Sequence, residues 1–444
     1  MSKKYQVTEV FGVSTKLIKS YIERPKVDDM FKSALHEQKQ IVVYGASKQG
    51  KTSLILKHLK KEDYVKVECS PSTQAIDIYR SILRQLNIRF LETYTKENKT
   101  EGSLGGKANV TIKVPFVSEA EVEGDIQGNA SHSRGTTETF IDYNLALAQD
   151  VSELLNKNSF NKVIILENFH YLSQETQETL AYDLRIFQDY EIVFVILGIW
   201  REANRLVQYN GDLLDRVIEI PVEPWSKDDF RRVIDKGSKL LNVDFSQIQE
   251  NLIERSFDSI GVVQELCKKC CSTQGLSQTN ENRISISFES LATSIQGKTQ
   301  DYAARHIRNF ESFSDVLRKT STQSGKLSLG FPYYFIKLLL IIDFSILQKG
   351  LPKSFILEEI RRIHHRSEDV RSSDLSKFLH NITQHQINKS IRPPFVDYDR
   401  GGKIIKIIDS SLYFFLYNSD RNEILNDLSD PLECGEDDSQ MSLF

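Results

Sequence analysis

The chain has 444 residues, 40% of them hydrophobic and 27% charged, and its formal net charge is −4. That length exceeds one ordinary core and points to two or three domains, while the composition excludes collagen-like, coiled-coil and wholly disordered classes. A net negative charge excludes non-specific attraction to nucleic acid over the whole surface, so any such contact must be a local basic patch.

The N-terminal run MSKKYQVTEV lacks the apolar core of a signal peptide. The most apolar run, FIKLLLIIDFSIL at 335–347, is short and contains Asp343, so no membrane span is expected. Five cysteines, at 69, 267, 270, 271 and 434, are an odd number in a long chain, which argues against a secreted disulfide framework. A reducing, cytoplasmic setting is the expectation. Cys267, Cys270 and Cys271 in ELCKKCC read as a buried helix face, since a zinc site would need a fourth ligand that the neighbourhood lacks.

From Gln40 onward, short β-branched runs alternate with helical periodicity: QIVVYG, a helix from Lys51, YVKVEC, a helix from Thr73, KVIILEN, EIVFVILGIW and RVIEIP. Strands apolar on both faces and separated by helices imply a parallel sheet covered on both sides. The expected fold class is therefore α/β, with this domain over residues 1–222. Residues 94–139, rich in Gly, Ser, Thr and Asn, interrupt the pattern; NVTIKV and the weaker AEVEGDI alternate with period two, so an inserted hairpin or a plain surface loop would account for them.

Beyond Pro224 the chain turns helical, through SKDDFRRVIDKGSKLLN, SQIQENLIERS and GVVQELCKKCC, and a small helical lid is expected over 223–280. A helical linker at 281–330 follows. Residues 331–418 then give three helices (FIKLLLIIDFSILQ, KSFILEEIRRIHH, SSDLSKFLHNITQHQ) and two strands around Asp399–Gly402. Three helices and a β-wing describe a winged helix. The acidic tail, 419–444, is expected to stay loose.

The chemistry concentrates at Gly45, Ala46, Ser47, Lys48, Gln49, Gly50, Lys51, Thr52 and Ser53. This run matches G-x-x-x-x-G-K-[ST] between an apolar strand and a helix, the context a phosphate-binding loop requires. Its backbone N–H groups and the helix N-terminus would cradle phosphates; Lys51 would reach the β- and γ-phosphates of ATP and Thr52 would ligate Mg²⁺. The second acidic motif is expected at the end of VIILENFH. Glu167 then takes the metal-side position, and Asn168 stands where many ATPases keep the carboxylate that polarises water. Asn is no general base, so slow hydrolysis is expected unless Glu167 does both jobs.

These motifs together resemble the AAA+ ATPases, and within them the origin-recognition-like and STAND-type bacterial ATPases. The resemblance implies an AAA+ P-loop sheet domain with a helical lid and a C-terminal winged helix. YIERPKVDDMF resembles the family's segment beside the adenine pocket, which would make Arg24 a base-side residue; an ordinary surface arginine is the alternative. GDLLDRVIEIPVEPWSKDDF resembles the stretch that carries an arginine before the fifth strand. Arg216 is thus implied to be a finger acting on a neighbour's ATP, the alternative being an ion pair with Asp212 or Asp215. Two family features depart from the pattern: Trp200 and Arg201 stand where a small polar sensor is common, and Val263 and Gln264 where many members keep a sensor arginine.

Between Leu351 and Lys406 there are eleven Lys or Arg and seven acids, a local basic surplus of the kind phosphate contacts need. Lys377, Lys389, Arg400 and Lys403 would face duplex DNA, unless the module binds protein instead. His364 and His365 are adjacent and His380 and His385 five apart, spacings that miss a shared helix face. The expected function is an ATP-controlled, homo-oligomerising switch signalling through the winged helix, which the resemblance links to bacterial genome maintenance or phage defence beside an effector protein. A DNA-binding initiator or loader is the alternative.

Overall fold

A computed structural model describes residues 3–94, 110–116, 139–315 and 328–429. Its centre is a five-stranded sheet of β1 (Gln40–Tyr44), β2 (Tyr64–Glu68), β3 (Val163–Glu167), β4 (Phe194–Gly198) and β5 (Val217–Pro221). The order is β2-β3-β4-β1-β5, with every pair parallel.

Alternation along the strands divides the sheet between two cores. Ile41 and Val43 point with Val195 into a core under α1 (Pro25–His36) and α2 (Lys51–His58). Val42, Ile164, Leu166 and Ile196 point the other way, under α3 (Ala75–Gln85), α4 (Ala148–Lys157) and α5 (Gln174–Asp189). Both faces are covered, as the continuous apolar runs require.

The interruption at 94–139 is built differently from a hairpin. Val110–Phe116 is the middle strand of a three-stranded antiparallel sheet, flanked by Leu91–Tyr94 and Thr139–Asn144. Within NVTIKV, the residues from Val110 on are thus a strand, but it pairs with the segments bounding the insertion; AEVEGDI lies outside the described residues.

The lid comprises α6 (Lys227–Leu241), α7 (Gln249–Glu254) and α8 (Ile260–Thr273). Ser226 opens α6 with a capping box, its hydroxyl accepting from Asp229 N–H. Val7, Val10, Phe11 and Ile22 pack into the lid's core, and Phe11 lies where a Cβ on Gly237 would be. Cys267, Cys270 and Cys271 are fully buried on α8.

The 27-residue α9 (Phe288–Ser314) joins the lid to the C-terminal region. There α10 (Phe331–Ile341) and α11 (Phe344–Lys349) replace the single helix expected at 335–348. Asp343 causes the break, because its carboxylate accepts from Ser345 N–H and caps a new helix. Next come α12 (Lys353–Ile363), α13 (Ser372–His380) and α14 (Ile382–Asn388), the last two divided at Asn381. Strands β6 (Leu351–Pro352), β7 (Val396–Asp399) and β8 (Ile404–Ile407) form an antiparallel sheet in the order β6-β8-β7. Helices α15 (Ser410–Asn418) and α16 (Arg421–Asp427) follow. Lid, α9 and these elements share one hydrophobic core. Among the described residues no helix is long and apolar enough to cross a membrane.

Candidate nucleotide-binding site

Strand β1, buried over Gln40–Val43, delivers the chain rigidly into the loop at Gly45. The loop then needs left-handed backbone at Gly50, where φ is 94° at the N-cap of α2. It also needs close approach at Gly45, since a Cβ there would stand 2.7 Å from Val222 Cγ2. Lys51 Nζ curls back to donate to the carbonyls of Gly45 at 2.9 Å and Ala46 at 2.6 Å. Burial pushes the Lys51 ammonium down to about 8, against the opposing attraction of Glu223 and Glu167.

Strand β3 ends beside this loop. Thr52 Oγ1 donates to Glu167 Oε1 at 3.2 Å, and Lys66 Nζ pairs with Glu167 Oε2 at 2.8 Å. A hydroxyl and a carboxylate this close are hard oxygen donors that suit Mg²⁺, which usually takes one or two protein oxygens and completes its shell with water and phosphate. Thr52 and Glu167 are the residues that would hold it, and when bound it would neutralise phosphate charge. No cluster of three or more metal-binding side chains occurs among the described residues. Asn168 follows in left-handed backbone, φ 61°, and starts the turn Phe169–Tyr171.

On the other side of the loop is a cavity of about 140 Å³ lined by Tyr21, Ile22, Arg24, Trp225, Ile260 and Gln264, with the P-loop from Lys48 onward as its floor. Arg24 is 8% exposed, stacks 3.6 Å over the Trp225 ring and donates to Val222 O at 2.9 Å. The Asp28 carboxylate accepts from Arg24 N–H and Tyr21 O–H and meets His58 Nε2 at 2.7 Å. Arg24 is therefore built into the wall of this cavity and is no free surface arginine. Gln264 fastens the N-terminal segment to the lid: its Oε1 accepts from Gly12 N–H and its Nε2 donates to Ser20 Oγ. Val263 is buried in the lid core.

Further P-loop contacts bind the loop to its surroundings. Gln49 donates to Asp258 O and accepts from Ile260 N–H, while Lys48 packs against Gly261 of α8. Ser47 N–H donates to Ile408 O at 2.9 Å, and Ser410 Oγ donates to Ser47 O at 2.8 Å. Ser53 lies in the first turn of α2.

Arg216 stands apart from all of this. Its carbonyl accepts from Gln40 N–H, which puts it at the end of the sheet away from the chain's own P-loop. Its guanidinium donates to Asp189 Oδ1 at 2.7 Å, so the ion-pair partner is neither Asp212 nor Asp215; Asp212 pairs with Arg185. Residues that the motifs did not reveal also meet the loop. Glu223 Oε1 accepts from Ala46 N–H at 3.2 Å and Glu223 Oε2 meets Arg201 Nε at 2.9 Å. Asp409, fully buried, pairs with Arg305 at 2.7 Å behind Ser47. Burial alone would raise the Asp409 carboxyl, but His306, Arg305 and the Ser411 bonds outweigh it and hold it below its ordinary range. Trp200 is fully buried.

Residues 34–206 match the family model described as an AAA domain. No curated protein matches the chain. Among solved structures it is similar to a Walker-type ATPase of Pyrococcus abyssi, at 12% identity over 92% of this chain and 99% of that one, with a TM-score of 0.48. It is also similar to the ORC1 protein of Aeropyrum pernix in complex with DNA, at 10% identity over 96% and 97% of the two chains and a TM-score of 0.43. The Thermotoga maritima RuvB Holliday junction branch migration motor is similar at 10% identity over 87% and 92%, with a TM-score of 0.38. The P-loop, its acidic partner and the parallel sheet agree with the match over 34–206: the chain carries an α/β P-loop NTPase domain that is similar to AAA domains.

Proposed function

We propose that the protein is an ATP-binding, slowly hydrolysing switch that oligomerises with ATP and signals through a winged-helix module at 331–418. The carrying observation is the direct contact between that region and the P-loop: Ile408 O and Ser410 Oγ hold the two backbone groups of Ser47. A ligand shifts a conformational equilibrium only by its differential affinity for the two states, and a loop that touches both nucleotide and module supplies that difference. Arg216, away from its own P-loop, would complete a neighbour's site. Genome maintenance or phage defence beside an effector protein is the setting this reading favours.

Hydrogen exchange with and without Mg-ATP tests the coupling. The backbone amides of Ser47 and of 408–411 should exchange faster with ATP bound, as the module leaves the loop. Unchanged exchange there at saturating ATP would contradict the reading.

A DNA-binding initiator or loader is the second reading, favoured by one observation. Arg371, Lys377, Arg392, Arg400 and Lys403 are exposed and in no ion pair among the described residues, as phosphate contacts require. Lys389, by contrast, is tied to Asp315 at 2.8 Å. The His380–Gln384 face also borders the AAA+ domain across a cavity bridged by Arg205–Asp397 at 3.2 Å, so this role needs the module to move. Salt-dependent binding to duplex DNA, lost on truncation at residue 320, would support the second reading.

A further inference from the structure

Hydrolysis of a phosphoanhydride needs a group that orients the attacking water and takes its proton, and Asn168 cannot take one. The Glu167 carboxylate faces Thr52 and Lys66, on the side of the loop where it would hold Mg²⁺ rather than a water. A second carboxylate stands across the P-loop. Glu223 directly follows Val222 beyond β5, and its Oε1 is held by the Ala46 N–H at the start of the loop. Its Oε2 is held by Arg201, which follows β4. Glu223 and Glu167 are the two acids whose charge acts on Lys51, the residue that would meet the γ-phosphate. Glu223 also lines a cavity of about 430 Å³ together with Gly45, Arg201, Lys406 and Tyr413, which leaves room for water beside its carboxylate.

We propose that Glu223 is the catalytic carboxylate of this ATPase, doing from β5 what the residue after Glu167 does in other P-loop enzymes. The proposal rests on the reading that the P-loop binds ATP. In the step, a water oxygen bonds to the γ-phosphorus while the bond from that phosphorus to the β,γ-bridging oxygen breaks. ADP leaves with the electron pair, and the water proton passes to Glu223 and then to solvent. Ala46 N–H and Arg201 position the carboxylate before the nucleotide arrives.

The full chain carrying Glu223→Gln tests this, with single-turnover ATP hydrolysis and calorimetric affinities for ATP and ADP measured side by side. Hydrolysis should fall about 10²-fold or more, the usual contribution of a general base. ATP affinity should rise relative to ADP affinity, because a negative charge beside the γ-phosphate has gone; a merely structural Glu223 would weaken both nucleotides alike. Hydrolysis within about threefold of wild type would overturn the proposal, and so would a wild type that binds ATP and never cleaves it. Loss of ATP binding in the wild type would instead remove the P-loop reading itself. Glu223→Asp keeps the charge and shortens the reach. In a chain where the Gln variant does not fold, a slowed Asp variant of unchanged ATP affinity supports the assignment, and an Asp variant at the wild-type rate overturns it.

Discussion

Lys51 occupies the carbonyls of its own loop where phosphate oxygens would draw it away. Its ammonium sits near 8 against an ordinary 10.5, with burial the largest cause. The unfolded chain therefore holds more protons between about 8 and 10.5, so Lys51 disfavours the fold below 8 and that penalty is relieved as pH rises through the window. Phosphates bind the charged form, so ATP binding near pH 9 should take up close to one proton. Calorimetry in buffers of different ionisation heat reads this directly; zero uptake would contradict it. Lys51→Ala should remove ATP binding from a chain that still folds, since the side chain contributes charge to phosphate and little packing; retained affinity would contradict the site.

At the scale of elements, the P-loop is gripped from the lid and from the C-terminal region. Gly261 on α8 allows the first grip: a Cβ there would lie 2.6 Å from Lys48 Cβ and 2.9 Å from the Lys48 carbonyl oxygen. Gly261→Ala must push α8 off the loop at a cost of about 1–3 kcal/mol, divided between melting temperature and ATP affinity. An unchanged protein in both measurements would show that the lid does not close on the loop. Arg305 carries the second grip through Asp409. Arg305→Leu leaves a buried carboxylate short of a charged donor, worth roughly 1.5–3 kcal/mol at full burial; the arginine is partly exposed, so the lower end is expected. Chemical denaturation measures it. An Arg305→Leu chain of wild-type stability would show that the second grip carries no weight.

Legibility in the sequence follows the range of the interaction. The strand, loop and helix around Lys51 are consecutive, and Glu167 ends a run of apolar residues, so both could be read locally. Asp343 was visible as a polar residue in an apolar run, but its capping of a second helix depends on a bond two residues away and was read as one continuous helix. Glu223 meets Ala46 across 177 residues and Asp409 meets Ser47 across 362; no spacing in the chain announces contacts that only the tertiary fold creates. Arg216 was legible as an arginine before β5, while its partner Asp189 lies on a neighbouring helix end and was not.

In the whole molecule, the parallel sheet carries the nucleotide loop, and one continuous core links lid, α9 and the C-terminal helices. A change at the P-loop therefore meets a connected body. The arginine that would serve a neighbour stands at the far end of the sheet, where Asp189 and not a phosphate holds it. Arg216→Ala should spare ATP binding and lose the ATP-dependent assembly, whereas a purely structural ion pair predicts a lower melting temperature and an unchanged assembly. The account is tested most directly by the mass of the wild-type chain in solution, measured by light scattering without nucleotide, with ADP and with Mg-ATP. It predicts a larger particle with Mg-ATP alone; a monomer at saturating Mg-ATP would contradict it.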